Sequence, residues 1–437
     1  MNALKWLYPG MHIKRWLVLL MLGIVIVSLG FAYVLREAYI YYTFPDFVYY
    51  ATLQFLPRPL RGALFVAGGA GMIVLALIRL NWSLISAFIP PGHDNNIVDV
   101  IYQHRHLRRG PKVVALGGGT GLSTLLRGLK DYTGNLTAIV TVADDGGSSG
   151  RLRRELGILP PGDIRNCIAA LADVEPLMTK LFQYRFNGGT GLDGHSFGNL
   201  FIVAMSGVTG NIESAIRESS RVLAVRGQVL PSTLDNVTLV AMMDDEAVIA
   251  GESSITESHK SIRSMYLEPR DAQAYPEAIR AILEADLIIL GPGSLFTSVL
   301  PNLLVDGIQK AVRSSKAMKM YVCNVATQKG ETDGFSVADH VASLERNAGP
   351  GLYDYVVVNN NFSALLPEGY ASQVVSAEVL PERVKIIMAD VVDEDNRLRH
   401  DPKKLAHTLM RVYYERAQIR QHVEPDVLPN TATAAEN

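Results

Sequence analysis

The 437-residue chain has 48% apolar and 19% charged residues, a composition typical of a folded protein and not of a disordered or fibrous one. Its charge is divided unevenly, with a formal net charge of +6 over residues 1–110 and −8 over the remainder, and no clustered basic surface that would indicate a nucleic-acid partner. The two cysteines, Cys167 and Cys323, exclude a disulfide framework or a cysteine-based zinc site and agree with a reducing compartment.

Two uncharged runs near the start of the chain predict a transmembrane helical hairpin over residues 1–85. Residues 16–35 contain no charged side chain, which is long enough for one helical crossing of a bilayer, and residues 62–78 supply a second run. A cleaved signal peptide is the alternative for the first run, and a buried soluble helix for the second. The basic residues near the outer ends place both termini in the cytoplasm, so we expect a multi-pass protein of the cell membrane whose main domain is cytoplasmic.

The next segment, residues 86–110, is predicted to be a basic juxtamembrane linker, whose arginines face either anionic headgroups or solvent. Beyond it, apolar runs alternate with helix-like stretches, and the runs lack the polar alternation of half-exposed strands. Such runs are typical of central parallel strands that are covered on both faces. We therefore expect an α/β, Rossmann-like, doubly wound and mostly parallel sheet. The predicted strands cover residues 112–116, 136–142, 287–290, 320–325 and 355–358.

Two further segments do not follow this alternation of apolar runs and helix-like stretches. Residues 237–256 read as two strands around the turn 244–246, which predicts an antiparallel hairpin that caps the site or extends the sheet. The main domain is expected to run from residue 111 to residue 422. Residues 423–437 lack periodic apolar positions and are predicted to be a disordered tail.

A glycine-rich turn follows the first predicted strand and leads into a helix over residues 122–132. Such a turn directs several backbone N–H groups and the positive end of a helix dipole at one point, which suits a phosphate group. The alternative is tight packing of the helix on the sheet with no ligand. The candidate binding residues are Gly117, Gly118, Gly119, Thr120 and Gly121.

An acidic turn follows the second predicted strand. Adjacent carboxylates before a flexible Gly/Ser segment suit Mg²⁺ or the orientation of a phosphorylated substrate, so Asp144 and Asp145 are the candidate metal ligands. The alternative is an Asx turn that caps the next helix. The candidate binding residues of this segment are Asp144, Asp145, Gly147, Ser148, Ser149 and Arg151.

Three more polar segments complete the predicted site. Asp163 can cap a helix after two prolines, and Arg165 can bridge a carboxylate and a phosphate. His195 is either a phosphate donor, an acid or base, or a structural histidine. A second glycine loop after a later strand forms another anion nest, and both loops belong at the carboxyl edge of a parallel sheet around one diphosphate. The candidates are Asp163, Arg165, Asn166, His195, Asn199, Gly291, Gly293 and Ser294.

These segments, taken together and in order, resemble the gluconeogenesis-factor family (YvcK, CofD-like), whose relatives include 2-phospho-L-lactate transferase. The resemblance covers residues 111–390. It adds Asn324, Thr327 and Gln328 as implied binding residues, because they lie in the matching segment 323–332. The other matching segments are 117–122, 142–151, 161–166, 194–199 and 291–294.

The resemblance implies a Rossmann-like core and a UDP-sugar ligand such as UDP-N-acetylglucosamine. It also implies a regulatory role in gluconeogenic growth, cell shape and peptidoglycan synthesis, through cell-wall or carbon-metabolism proteins and as a possible homo-oligomer. The transferase relative instead moves a phospholactyl or phosphoenolpyruvyl group from a nucleotide diphosphate donor with Mg²⁺. A membrane-tethered UDP-sugar sensor and a Mg²⁺-dependent transferase both stay open, whereas an NAD-dependent oxidoreductase is disfavoured by the glycine spacing.

Overall fold

The computed structural model describes residues 13–42, 45–86, 107–173, 176–188, 191–362, 373–376 and 384–416. The chain divides into two compact units, Met1–Arg105 and His106–Asn437. The predicted tail over residues 423–437 lies outside the described residues, as does most of the predicted linker. These two predictions therefore stay predictions.

The described part of the first unit is helical. It consists of α1 (Ile13–Tyr41), α2 (Asp46–Ala51) and α3 (Arg58–Ser86). Large apolar side chains on these helices face outward, among them Phe31 and Val66, which are 66% and 72% exposed. Apolar residues that are not covered by the protein itself need an apolar environment or a partner.

The predicted two-helix membrane hairpin is not supported as a whole. Among the described residues, one segment, Arg58–Ala76 of α3, is long and apolar enough to cross a membrane, with a mean hydropathy of 1.6. It overlaps the second predicted span. The first predicted span lies within α1, and the side chains of residues 13–21 of that helix are outside the described part of the chain. The structure therefore offers one candidate span in place of two.

The second unit is an α/β domain. Its strands are β1 (Val113–Gly117), β2 (Leu136–Val140), β3 (Gln228–Pro231), β4 (Thr238–Met243), β5 (Val248–Ala250), β6 (Ile262–Glu268), β7 (Leu287–Leu290), β8 (Met318–Val322), β9 (Tyr355–Asn359) and β10 (Lys385–Ala389). Its helices are α4 (Gly119–Leu129), α5 (Gly147–Leu156), α6 (Pro161–Leu171), α7 (Pro176–Gln183), α8 (Phe197–Thr209), α9 (Ile212–Val222), α10 (Glu252–Glu257), α11 (Pro276–Leu283), α12 (Leu300–Leu303), α13 (Asp306–Ser314), α14 (Val337–Ala348) and α15 (Pro402–Arg416).

The main sheet has seven strands in the order β10-β9-β8-β7-β1-β2-β3, and every neighbouring pair is parallel. The chain first winds from β1 to β3, then returns to β7 on the other side of β1 and winds outward to β10. The winding direction therefore reverses between β1 and β7. This is the topological switch point, where open α/β sheets bind ligands beyond the carboxyl ends of their strands.

The predicted antiparallel element is confirmed and is larger than expected. Strands β4 and β5 pair antiparallel around the residues between them, as the hairpin prediction requires. Strand β6 adds a third antiparallel strand on the other side of β4. The sequence pattern does not predict β6, because helix α10 lies between β5 and β6 in the chain. No tight turn therefore marks the pairing of β6 with β4.

The core explains why the central strands read as continuous apolar runs. Every residue of β1 and β7 is buried. Val114 and Leu116 pack toward α11–α14 and the antiparallel sheet, whereas Val113 and Ala115 pack toward α4, α6 and α15. A strand that is covered on both faces has no polar side to alternate with its apolar side. The mostly parallel α/β fold that the sequence predicts is confirmed.

Candidate functional site

The candidate site begins at the two glycine loops of the switch point. Strand β1 ends at Gly117, and α4 begins at Gly119, so the glycine turn is itself the first turn of the helix. The helix was predicted to begin three residues later. The early start matters because the N–H groups of a first helical turn have no partner within the helix and can bind an anion.

A buried apolar stripe fixes α4 against the sheet. Leu122, Leu125, Leu126 and Leu129 are fully buried and follow the spacing of one helix face. The helix start, and with it the first-turn amides, is therefore held rigidly at the end of β1.

The second loop lies directly against the first. A Cβ atom on Gly293 would lie 3.4 Å from the carbonyl oxygen of Gly118, and a Cβ on Gly121 would lie only 2.6 Å from that of Pro292. Gly293 itself has a φ of +150°, which favours glycine, and its N–H donates to the side chain of Asn324 at 3.3 Å. The sequence predicts that these two loops meet, and they do.

Asp163 joins the site from α6. Its carboxylate accepts a hydrogen bond from the backbone N–H of Gly119, at the start of α4. Burial, followed by the negative charge of Asp144, raises the pKa of Asp163 to about 7. A carboxyl that holds a proton near neutral pH is typical of functional sites, although buried structural networks shift pKa values too.

The acidic turn contributes two carboxylates that point in different directions. Asp144 accepts from the N–H of Gly146 at 2.9 Å, and burial raises its pKa. Asp145 accepts from the N–H of Ser253 at 2.9 Å, which ties this turn to the start of α10. Glu252, also in α10, hydrogen-bonds to Asp144, and burial followed by the charges of Asp144 and Asp163 raises the pKa of Glu252 to about 8.

A second buried carboxylate orients the later glycine loop. Ser294 donates a hydrogen bond to Glu331, and burial raises the pKa of Glu331. The other carboxylate oxygen of Glu331 accepts from Gln328 at 2.7 Å and from Thr256 and Thr297 at 3.2 and 3.3 Å. Both oxygens are thus engaged by protein donors, so Glu331 holds the loop in place.

Sequence reasoning did not select Glu252 or Glu331. Glu331 lies inside the segment 323–332 that carries the family resemblance, so a search of that segment for titratable groups could have found it. Glu252 follows the antiparallel hairpin, and only the packing of α10 beside the acidic turn brings it to the site.

A polar network lies on the other side of α6. The hydroxyl of Ser148 is 2.9 Å from Nδ1 of His195, and the side-chain amide of Asn199 donates to the same hydroxyl at 3.0 Å. All three side chains are buried. Burial, with the nearby charges of Arg151 and Arg185, lowers the pKa of His195.

Other predicted residues take structural roles. The guanidinium of Arg151 donates to the carbonyl of Asp193 at 2.7 Å. The backbone N–H of Thr327 donates to the carbonyl of Gln373 at 2.7 Å. The backbone N–H of Gln373 donates to the hydroxyl of Thr327 at 2.8 Å. The side-chain amide of Gln328 donates to Glu331, the carboxylate that holds the second glycine loop. Gly147 is exposed at the start of α5 with a φ of +46°.

The described residues also line two cavities at the other end of the sheet. One, of about 380 Å³, lies along β3 between α9 and α11, and one of about 610 Å³ lies beyond the amino ends of β1 and β2. Neither cavity contains the glycine loops. We place the site at the carboxyl edge because the polar groups with shifted pKa values gather there, where the winding direction reverses.

The carboxylates of the acidic turn could hold a metal ion only with help from other ligands. Within the described ranges, no group of three or more His, Cys, Asp or Glu side chains is arranged to hold one. Magnesium commonly uses only one or two carboxylates and completes its shell with water and ligand phosphates. Carboxylate oxygens beside two glycine loops suit that second arrangement.

Comparison with known proteins gives consistent matches. The family model for 2-phospho-L-lactate transferase CofD matches residues 113–396. A relative from Nostoc sp. (strain PCC 7120) is 49% identical over 421 residues, which are 94% of this chain and 92% of its own length. The gluconeogenesis factor of Bacillus subtilis is 48% identical over 316 residues, which are 70% of this chain and 99% of its own.

A solved structure supports the same conclusion for the fold. The crystal structure of protein BH3568 from Bacillus halodurans superimposes with a TM-score of 0.65 at 44% identity, and the match covers 69% of this chain and all of that one. Another structure of the same protein is described as a member of the UPF0052 family. Relatives of this size correspond to about two thirds of the present chain, which carries additional residues.

Proposed function

This chain belongs to the gluconeogenesis-factor family that the CofD family model matches, and from that premise we propose that its α/β unit binds a nucleoside-diphosphate sugar. The ligand we propose is UDP-N-acetylglucosamine or a close analogue. Binding serves regulation of carbon metabolism, peptidoglycan synthesis and cell shape through partner proteins.

The contact between the two glycine loops carries the proposal. A diphosphate has two phosphoryl groups that need donors from two directions, and backbone N–H groups can supply them without the entropic cost of ordering long side chains. The close approach of Gly121 to Pro292 brings the two loops into contact. At Gly121 a Cβ atom would lie within 2.7 Å of Pro292 and Gly293, so no larger side chain fits at that position.

The surrounding carboxyl groups favour a cation as part of the bound complex. Asp144 and Asp145 are the residues that would hold Mg²⁺, which would offset the repulsion between the acidic turn and a diphosphate. Asp163 would hold the start of α4 in place through the hydrogen bond that it accepts from the N–H of Gly119. Binding is therefore expected to strengthen with Mg²⁺.

Calorimetric titration tests the proposal directly. The chain is titrated with UDP-N-acetylglucosamine, GDP and NAD, each with and without Mg²⁺. Saturable binding of the UDP-sugar with little or no affinity for NAD is expected. If the UDP-sugar fails to bind under any of these conditions, the proposed ligand is wrong.

A glycine pair provides the matched variants. Gly121→Ala introduces a methyl group that must displace Pro292, so we expect at least a tenfold loss of UDP-sugar affinity, about 1.4 kcal/mol. Gly207→Ala adds the same methyl group on α8, where nothing lies within 4 Å, and should leave the affinity unchanged. Equal affinities for the two variants would show that the loops do not form the binding site.

The second candidate function is group transfer from a nucleotide diphosphate donor. The observation that favours it is the pKa of Asp163, about 7, because a general base is most effective when its pKa lies near the working pH. Incubation of the chain with Mg²⁺, such a donor and a set of acceptors would release free nucleotide if transfer occurs. Tight UDP-sugar binding with no release in any acceptor mixture would favour the regulator.

A further inference from the structure

We propose that Ser298 is a ligand-binding residue, whose hydroxyl donates a hydrogen bond to a phosphoryl oxygen of the diphosphate where the two glycine loops meet. This inference rests on the proposed function and deepens it, because it names a side chain that recognises the diphosphate. Ser298 is not among the candidate residues that we selected from the sequence.

The hydroxyl of Ser298 lies between the two loops. Its Oγ is 3.8 Å from the position that a Cβ atom on Gly119 would take, and 3.7 Å from the position of a Cβ atom on Gly293. All three residues are partly exposed, whereas the adjacent residues Gly118 and Ser294 are buried. The hydroxyl therefore lies where both loops are accessible from solvent.

The amides of the two flanking glycines are already engaged by the protein. The N–H of Gly119 donates to Asp163, and the N–H of Gly293 donates to Asn324 at 3.3 Å. Within the ranges that the structure describes, the hydroxyl of Ser298 has no hydrogen-bond partner. A phosphate oxygen is a strong acceptor, and a hydroxyl can turn its proton toward one without giving up a bond to the protein.

A π-helical turn fixes the backbone of Ser298 directly after the second glycine loop. The turn covers Leu295–Val299, and the side chain of its N-cap, Ser294, accepts from the N–H of Thr297 at 3.0 Å. The carbonyl of Ser294 accepts from the N–H groups of Ser298 and Val299 at 3.0 and 2.9 Å. Such turns are rare and occur frequently at functional sites. Because the backbone is already ordered, little entropy is lost when the hydroxyl binds a ligand.

Asn302, in α12, joins the same turn to the end of β1. Its side chain is fully buried, and its amide donates to the carbonyls of Gly117 at 3.0 Å and of Ser298 at 2.8 Å. Its Oδ1 has no partner among the residues that the structure describes, which is costly for a buried polar atom. One side chain thus holds Ser298 beside the residue that leads into the first glycine loop.

Calorimetric titration of the full-length chain in detergent tests the contact. The ligands are UDP-N-acetylglucosamine, GDP and inorganic pyrophosphate, each with Mg²⁺. Ser298→Ala should weaken each ligand that the parent chain binds about tenfold or more, because a hydrogen bond to a charged group is lost. The matched control is Ser206→Ala, at a half-buried serine of α8, which should bind as the parent chain does.

Thermal unfolding separates ligand contact from a structural role. Ser298→Ala should leave the midpoint of the ligand-free chain almost unchanged, because the hydroxyl donates to no group in the described part of the protein. The rise in midpoint that saturating ligand produces should be smaller in the variant, since weaker binding stabilises the folded state less. A large fall in the ligand-free midpoint would show that Ser298 supports the fold and would overturn the inference.

The outcomes separate this inference from the proposed function. If Ser298→Ala keeps the parent affinity for all three ligands, the inference is wrong and the proposed ligand is unaffected. If the variant loses affinity for UDP-N-acetylglucosamine but not for pyrophosphate, the hydroxyl contacts another part of the ligand and the diphosphate contact is wrong. If the parent chain binds GDP or pyrophosphate but not the UDP-sugar, and the variant binds them less tightly, the inference stands and the proposed ligand fails. Absence of binding to all three ligands would overturn both.

Discussion

Single residues set the protonation of the site. Asp163 and Glu252 are held among like charges and away from water, which raises the pKa of each group to about 7 and about 8. Isolated carboxyls would be ionised at neutral pH, but these groups bind protons there because a buried carboxylate is poorly solvated. The Mg²⁺ ion that we propose at Asp144 and Asp145 would lower both pKa values, because a nearby positive charge favours the ionised form of a carboxyl.

Stability should fall as the pH rises through this range. Unfolded carboxyls release their protons near pH 4, whereas Asp163 and Glu252 keep theirs to about pH 7 and 8 in the folded state. The folded state therefore binds more protons between about pH 4 and 8, and the free energy of unfolding should decrease by about 2 kcal/mol from pH 5.5 to 8.5 through Asp163 alone, with a further decrease through Glu252. Thermal unfolding of the ligand-free chain across this range measures it.

The variant that isolates the effect is Asp163→Asn. Asparagine mimics the neutral carboxyl, so this variant should lose part of the pH dependence and gain stability at pH 8.5 relative to the parent chain. Asp271→Asn, an exposed residue outside the cluster, should keep the full dependence. Parallel pH profiles for parent and Asp163→Asn would rule out this account.

At the scale of elements, helix α10 links the antiparallel sheet to the acidic turn. Its first residues, Glu252 and Ser253, contact Asp144 and Asp145. The position is possible because Gly251 has a φ of +98° and a Cβ atom there would lie 2.5 Å from the carboxylate of Asp145. The antiparallel sheet therefore covers one side of the site instead of merely extending the main sheet.

Two glycines with positive φ but different ψ, Gly210 (φ +84°, ψ −10°) and Gly251 (φ +98°, ψ 132°), test the contact with Asp145. Gly251→Ala and Gly210→Ala both place a methyl group at a positive φ, and each should cost about 1 kcal/mol of stability. Only Gly251→Ala also displaces Asp145, since nothing lies within 4 Å of Gly210. We expect Gly251→Ala alone to weaken Mg²⁺-dependent UDP-sugar binding, measured by calorimetry. An equal loss in both variants would contradict the role of α10.

At the scale of the whole molecule, the chain combines a helical unit with an α/β unit. The relative from Bacillus subtilis matches about 70% of this chain with nearly its whole length, so a domain of that size exists separately in the family. The helical unit includes the apolar segment Arg58–Ala76, whose side chains are not buried by the rest of the protein. We propose that this segment attaches the chain to a membrane.

Fractionation of expressing cells tests membrane attachment. The full-length chain should sediment with membranes and resist extraction with high salt or alkaline carbonate, because apolar burial in lipid is not screened by ions. A version that begins at residue 107 should stay in the supernatant and keep the UDP-sugar affinity. Full-length chain that is released by salt alone would show peripheral attachment.

The sequence by itself determined the class of fold, the family and most of the loops at the site. Continuous apolar runs indicated doubly covered parallel strands, and glycines before helices indicated anion nests, because both patterns reflect local chain geometry. Only the tertiary structure decided which side chains gather beside the glycine loops and the acidic turn. Glu252 enters the site through the packing of α10, and Arg151 is directed to the carbonyl of Asp193, since such contacts join residues far apart in the chain.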